Sequence, residues 1–300
     1  MLSIQAPFCI FAQVTSNYLV ERTVALTYLA RMLTFPKAKI NLGLEIVEKR
    51  PDGYHNLQTL FYPIPLTDVL EICSGVETFS FDGGDALSDC PVEQNLVVKA
   101  YRMMEARYGL PPVKIILRKH IPHGAGLGGG SSDAASTLVM LNDLFHLNCS
   151  REELALMGAR LGADVPCFLY DSPTYGEGIG DILTPFDSFS LKGYHLLLLL
   201  PDIYISTPEA YSGVCPMKPE VGLRERLNLP LKEWRGVVSN RFESSLFPRH
   251  PHLVELKELL YRQGALYASM SGSGSAMYGI FDSEPDLYSF KTWRTFLMKL

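Results

Sequence analysis

Three things are missing from this 300-residue chain: a surplus of positive charge, a long apolar run and paired cysteines. Against 27 Lys and Arg stand 32 Asp and Glu, a net charge of −5. Proteins that grip nucleic acid through its phosphates normally carry a basic excess, so nucleic acid is not expected as a partner. A small anionic substrate stays open, because it needs only a local positive site. No stretch approaches the roughly eighteen apolar residues of a membrane span. The greasiest piece, residues 196–200, has the length of a buried strand. The six cysteines (Cys9, Cys73, Cys90, Cys149, Cys167 and Cys215) are scattered, without a C-x-x-C pair or a His-rich run. That argues against a zinc site or a disulfide framework and suits a reducing, cytoplasmic compartment. Repeats and low-complexity tracts are absent as well. What remains, 47% apolar and 20% charged residues, is ordinary for a globular protein of one large domain or two moderate ones.

The most informative stretch is residues 121–136, Ile-Pro-His-Gly-Ala-Gly-Leu-Gly-Gly-Gly-Ser-Ser-Asp-Ala-Ala-Ser. Before it, Val113, Ile115 and Leu117 alternate with polar residues, the period of a half-buried strand. After it, Ala134, Leu138, Leu141 and Phe145 recur at helical spacing, and Ser131, Ser132 and Asp133 are good cap residues for the helix start. A strand that runs through glycines into a helix start presents free N–H groups and the positive end of a helix dipole. This is a phosphate cradle. Gly124, Gly126 and Gly129 satisfy G-x-G-x-x-G, but the acidic residue that a dinucleotide fold needs about twenty positions on is missing. The P-loop pattern fails too, with Gly130 where its lysine belongs.

Elsewhere the chain supplies pieces that do not yet speak. Residues 1–33 hold few charges, have no basic n-region and read as a dispensable extension, with Met32 a plausible true start. Ile40, Leu42, Leu44 and Ile46 alternate with Lys39, Asn41, Gly43 and Glu45, which predicts a strand with one face in the core. Lys39 and Asn41 then share its outer face, where a lysine is either a solvated charge or a functional one. Pro51-Asp52-Gly53 is a turn that projects Tyr54 and His55. Helical spacing covers residues 94–108 and ends at Gly109. Ser150-Arg151-Glu152-Glu153 is a capping box that opens a helix closed by Gly162. Asp164 just beyond it is either a local turn aspartate or a poised carboxylate. Ile205-Ser206-Thr207-Pro208 looks like a strand-to-helix junction, residues 239–247 and 253–263 are predicted helices, and residues 269–275 form a second Gly/Ser loop whose serines and N–H groups can face the first.

Four segments together carry a resemblance. Pro36-Lys37-Ala38-Lys39-Ile40-Asn41-Leu42, the glycine loop ending in Ser131 and Ser132, Leu161-Gly162-Ala163-Asp164-Val165-Pro166 and the late Ser271-Gly272-Ser273-Gly274 resemble, in this order, the GHMP small-molecule kinases. Arg50-Pro51-Asp52-Gly53-Tyr54-His55 and the run from Gly124 to Ala135 are most similar to the branch that phosphorylates a cytidyl-linked methylerythritol in the non-mevalonate isoprenoid pathway. The resemblance covers residues 38–281. It implies an α+β fold of two domains: an N-terminal one like ribosomal protein S5 domain 2 (residues 34–190) and a ferredoxin-like C-terminal one (residues 191–300), with the active site between them. It implies transfer of the γ-phosphoryl group of ATP, with Mg²⁺, to the 2-hydroxyl of the cytidyl substrate, by a monomer or weak homodimer. Carried over residue by residue, Lys39 and Asp164 are the catalytic pair. Pro122, His123, Gly124, Ala125, Gly126, Leu127, Gly128, Gly129, Gly130, Ser131 and Ser132 hold the ATP phosphates, and Asn95 and Lys119 match positions near the nucleotide. Asn41, Tyr54, His55, Thr207 and Tyr211 match substrate contacts; Tyr54 and His55 hold the cytosine, and Tyr211 stands where the family stacks an aromatic on the base. No metal ligand is implied, although Ser131 or Ser132 is a candidate. A different GHMP kinase and an inactive ligand-binding protein on the same scaffold are the alternatives; the Asp-Gly-Tyr-His turn argues against the first, and the presence of both Lys39 and Asp164 against the second.

Overall fold

The computed structural model describes residues 30–300. The chain enters through β1 (Arg31–Thr34) and continues into two long strands, β2 (Lys37–Lys49) and β3 (His55–Thr67), followed by β4 (Val69–Cys73) and β5 (Ser80–Asp82). Next come α1 (Leu96–Tyr108), β6 (Lys114–Arg118), α2 (Gly129–Leu144) and α3 (Arg151–Leu161), then the hairpin of β7 (Thr174–Glu177) and β8 (Ile182–Pro185). The second half holds β9 (His195–Leu200), α4 (Thr207–Ser212), α5 (Leu223–Arg226), α6 (Arg241–Leu246), α7 (Pro251–Arg262), β10 (Tyr267–Met270), β11 (Met277–Phe281) and β12 (Arg294–Lys299).

The strands form three sheets, ordered β1-β4-β6-β5, β2-β3-β7-β8 and β10-β11-β9-β12. The third is wholly antiparallel. Counted from β9, its strands lie in the order 2-3-1-4, the split β-α-β ferredoxin-like arrangement. Its second crossover is reduced to a single 3-10 turn, Leu287–Phe290. The chain beyond Phe281 therefore completes this sheet with β12. Strand β9 is its five-leucine centre; Leu196 to Leu199 are fully buried, each worth about 2 kcal/mol of transfer free energy. The first two sheets use only residues before 190 and the third only residues after it. Two core clusters nevertheless cross that line: one joins Ala38, Ile40 and Leu42 of β2 to Leu196, Leu198, Trp234 and Tyr278, the other Leu44 and Ile46 of β2 to Leu197, Leu199 and Phe242.

Local signals explain several elements. Asn95 caps α1 by accepting from the Val97 N–H (2.9 Å), and Gly109 ends that helix in the left-handed region. Ser150 and Glu153 form the expected reciprocal box, at 3.2 and 2.9 Å.

Three expectations change. First, α2 starts at Gly129 behind Gly128 (φ +70°), and no side chain caps it. Ser131, Ser132 and Asp133 lie inside the helix instead of capping it, because glycine alone completes the turn. Second, the outer face of β2 is not solvated. Every residue from Ala38 to Ile46 is buried, including Lys39, Asn41 and Glu45, because the glycine loops and the C-terminal half cover that face. Third, β1 pairs along its whole length with β4, and Ser74 N–H donates to the Ala30 carbonyl (2.9 Å). The sheet thus reaches back across the boundary drawn at residue 33. Residues 1–29, with the rest of the expected extension, lie outside the described residues.

Candidate active site

The glycine loop between β6 and α2 lies against the Gly/Ser loop between β10 and β11. Contact is backbone to backbone: a Cβ on Gly126 (φ +76°) would lie 2.0 Å from the Ser271 carbonyl oxygen. Only glycine permits this approach. Ser271 Oγ donates to the Gly126 carbonyl (2.9 Å), and Ala276 N–H donates to the Ala125 carbonyl (3.2 Å). With no side-chain cap on α2, the N–H groups of its first turn stay available to an anion.

Two cavities open beside the loops. One, of about 330 Å³, is walled by the loop from Pro122 to Ser131 and closed by Leu96, Lys119, Tyr204 and Thr207. The other, of about 290 Å³, is lined by Asn41, Thr59, Phe61, Ile179, Tyr211 and Phe242 among others. Lys39, Ser131, Asp164, Thr207, Gly272 and Ser273 line both. The cavities meet at these six residues.

At the junction Lys39 is buried, and its ammonium is fully engaged. It donates to Asn41 Oδ1 (2.7 Å) and to the Gly126 carbonyl (3.0 Å), and it pairs with Asp164 Oδ2 at 3.4 Å. Asn41 is held in turn by Thr59 Oγ (3.0 Å), which donates onward to the Gly43 carbonyl (2.6 Å). The Asp164 side chain is 41% exposed, so one half of the pair is fixed and the other faces the open cavities. This geometry suits a reaction in which a carboxylate takes a proton beside a cation that stabilises developing negative charge.

The other expected site residues distribute unevenly. Ser131 faces both cavities, whereas Ser132 is buried and turns to a cleft on the far side of α2, beside Phe168 and Tyr170. Adjacent residues on a helix diverge by about 100°, so the pair cannot act together. Lys119 borders the first cavity, but its ammonium is bound to Asp68 and, at 2.6 Å, to Asp133. Burial, opposed by Lys119 and reinforced by the Asp68 carboxylate, pushes Asp133 up to about 7. Asp68 also accepts the Ile121 N–H (2.9 Å), tying the loop's entry to this buried group. Asn95 is spent on capping α1; its neighbour Leu96 reaches the cavity. Thr207 opens α4 and Tyr211 lies one turn on, on the same face.

The turn before β3 is set by Asp52, which pairs with Arg50 (2.7 Å) and accepts the Tyr54 N–H (3.1 Å). Tyr54 is exposed, and His55 lies flat on Tyr211, ring centroids 4.8 Å apart at 24°. Burial, with the Lys49 charge adding to it, holds the His55 imidazolium below its ordinary range. A planar base sandwiched between those two rings would need them about 7 Å apart, two layers of van der Waals contact. His55 therefore has to leave the face of Tyr211 before a base can stack there. Thr59, Phe61, Ile179 and Phe242 carry no local signal that would have marked them; only the fold brings them to the cavity.

Comparison with known proteins follows the same lines. Residues 95–172 match the GHMP kinases N terminal domain and residues 228–291 the GHMP kinases C terminal domain. A 4-diphosphocytidyl-2-C-methyl-D-erythritol kinase of Bacteroides thetaiotaomicron is 52% identical over 260 residues, 85% of this chain and 94% of the relative. That of Porphyromonas gingivalis is 48% identical over 267 residues, 85% and 94% of the two chains. The chain belongs to the 4-diphosphocytidyl-2-C-methyl-D-erythritol kinase family of GHMP kinases. A crystal structure of a 4-(cytidine 5'-diphospho)-2C-methyl-D-erythritol kinase superposes with a TM-score of 0.73 at 31% identity, covering 89% of this chain and 98% of that one. Mevalonate kinase of Methanococcus jannaschii, at 14% identity and a TM-score of 0.66 over 89% and 98%, shares the GHMP kinase fold.

Proposed function

We propose that this GHMP kinase transfers the γ-phosphoryl group of ATP to the 2-hydroxyl of 4-diphosphocytidyl-2-C-methyl-D-erythritol, yielding the 2-phosphate and ADP. The observation that carries the mechanism is the meeting of two cavities at Lys39 and Asp164. The glycine-walled cavity suits the triphosphate and the aromatic-lined one the alcohol.

In this reading the first-turn N–H groups of α2 and the glycine-loop backbone bind the phosphates. Asp164 accepts the proton of the 2-hydroxyl as its oxygen bonds to the γ-phosphorus and the bond to the β-phosphate oxygen breaks. Lys39 stays charged, orients the hydroxyl and balances negative charge on the transferred group. Asn41 and Thr207 contact the acceptor. Cytosine stacks on Tyr211 once His55 swings away, with Tyr54 on its other face and His55 at its polar edge, so remote binding energy fixes the reacting hydroxyl. Among the described residues no cluster of three or more His, Cys, Asp or Glu forms a resident metal site. Ser131, at the end of the glycine loop, would hold a Mg²⁺ brought in with the nucleotide, and that ion would supply charge neutralisation to the phosphates.

The proposal extends to a monomer or weak homodimer in the cytoplasm, without a nucleic-acid partner; among the described residues no helix is long and apolar enough to cross a membrane. ADP release measured with the cytidyl alcohol, mevalonate, homoserine and galactose tests the assignment. Turnover with the cytidyl compound alone is expected, and a preference for any of the others would overturn it.

A further inference from the structure

We propose that Asn240 and Ser271 form a clamp that aims the Lys39 ammonium, acting through the carbonyl of Gly126; the proposal rests on the reading of Lys39 and Asp164 as the catalytic pair. Asn240 is buried at the start of α6, and its amide is fully used. Its Nδ2 donates to the carbonyls of Met270 and Gly272, each at 2.8 Å, and its Oδ1 accepts the Phe242 N–H at 3.0 Å. One turn on, Glu243 accepts the Met270 N–H (2.8 Å) and the Ser269 hydroxyl (2.9 Å). The start of α6 thus grips the end of β10 and the loop that follows. The grip is registered on the catalytic strand, because Leu44 N–H of β2 donates to the Ser239 carbonyl at 2.9 Å.

The gripped loop presents Ser271, itself buried, to the Gly126 carbonyl. That oxygen takes two donors, the Ser271 hydroxyl at 2.9 Å and the Lys39 ammonium at 3.0 Å. An ammonium has three N–H bonds in a fixed tetrahedral array. With one directed at Asn41 and one at Gly126, the direction of the third, toward Asp164, follows. Gly272 forms a backbone wall beside it, since a Cβ there would lie 3.3 Å from Lys39 Nζ. The clamp therefore fixes the cation by neutral acceptors, leaving Asp164 as its one carboxylate partner among the described residues. Asn240 and Ser271 are positioning residues. Loosening them is expected to misdirect Lys39 while the cavity walls that bind ATP and alcohol keep their shape.

The test is steady-state kinetics on the full chain with Ser271→Ala and Asn240→Asp, with Asp164→Asn measured alongside. Ser271→Ala removes one hydrogen bond and is expected to lower kcat roughly five- to tenfold, with KM for ATP and for the alcohol within about twofold. Asn240→Asp keeps shape but replaces the donor facing two carbonyls with a carboxylate oxygen, and a larger kcat loss is expected; if it fails to fold, Ser271→Ala decides. A rise in KM for ATP at unchanged kcat would mean that the loops serve only to bind, and would overturn the clamp. Unchanged kinetics in Ser271→Ala beside a crippled Asp164→Asn would overturn the clamp alone. Normal turnover in Asp164→Asn would remove the catalytic pair and the clamp with it.

Discussion

Lys39 and Asp164 face each other at 3.4 Å across the junction of two cavities, the lysine buried and the aspartate open. They are 125 residues apart in the chain (164 − 39), and neither contacts the other by local structure. Removing the carboxylate's basicity tests the relationship directly. Asp164→Asn should lower kcat by at least about 100-fold, the scale of general-base catalysis, and leave ATP affinity within a few-fold. Rapid-quench turnover with a parallel nucleotide titration measures both, and near-normal kcat would free Asp164 of the role.

The His55–Tyr211 stack makes a second claim about the acceptor side. His55→Ala should weaken binding of the cytidyl alcohol while leaving ATP affinity alone, and Tyr211→Phe should be mild because the ring remains. Calorimetric titration of each ligand separates the cases. Equal loss for both ligands would place His55 in another role.

Asp133 should leave a trace in the pH dependence of stability. Its folded value, about 7, lies above the ordinary carboxylate value, so the folded state binds the proton more tightly than the unfolded one. The stabilisation this brings is complete at pH below about 4 and is lost as pH rises toward and past 7. Asp133→Asn should therefore flatten the fall of Tm across this window and be no less stable than the parent at pH 8, since Lys119 keeps Asp68. A steeper fall in the variant would show that the charged form of Asp133 stabilises the fold.

Strand β1 bears on the N-terminal end. Removing residues 1–29 should leave kcat intact, whereas removal through residue 34 strips β1 from the edge of β4 and should lower Tm by several degrees. Thermal melts and activity of the two truncations check this. An inactive but folded product of the shorter truncation would contradict the dispensable role proposed for those residues.

The elements written locally in the chain were legible. Leucine-rich β9, the capping box of α3 and the glycine loop before α2 all rest on patterns within a few residues. Even so, composition alone makes the loop's serines look like caps, because it cannot say which glycine takes the positive φ that sets the helix start. Alternation puts Lys39 and Asn41 on an outer face, because it reports polarity and not what lies over the strand.

By itself, the sequence determined the glycine loop that runs into a helix, the order of the motifs and the family they belong to, since each is a short run whose physics is local. The tertiary structure alone decided that Lys39 is buried against Asp164, that Lys119 is consumed by Asp68 and Asp133, and that Asn240 bonds to the carbonyls of the second loop. These depend on contacts between residues 14 to 125 positions apart. Their geometry is set by how two halves pack over shared core clusters, and no local pattern records that.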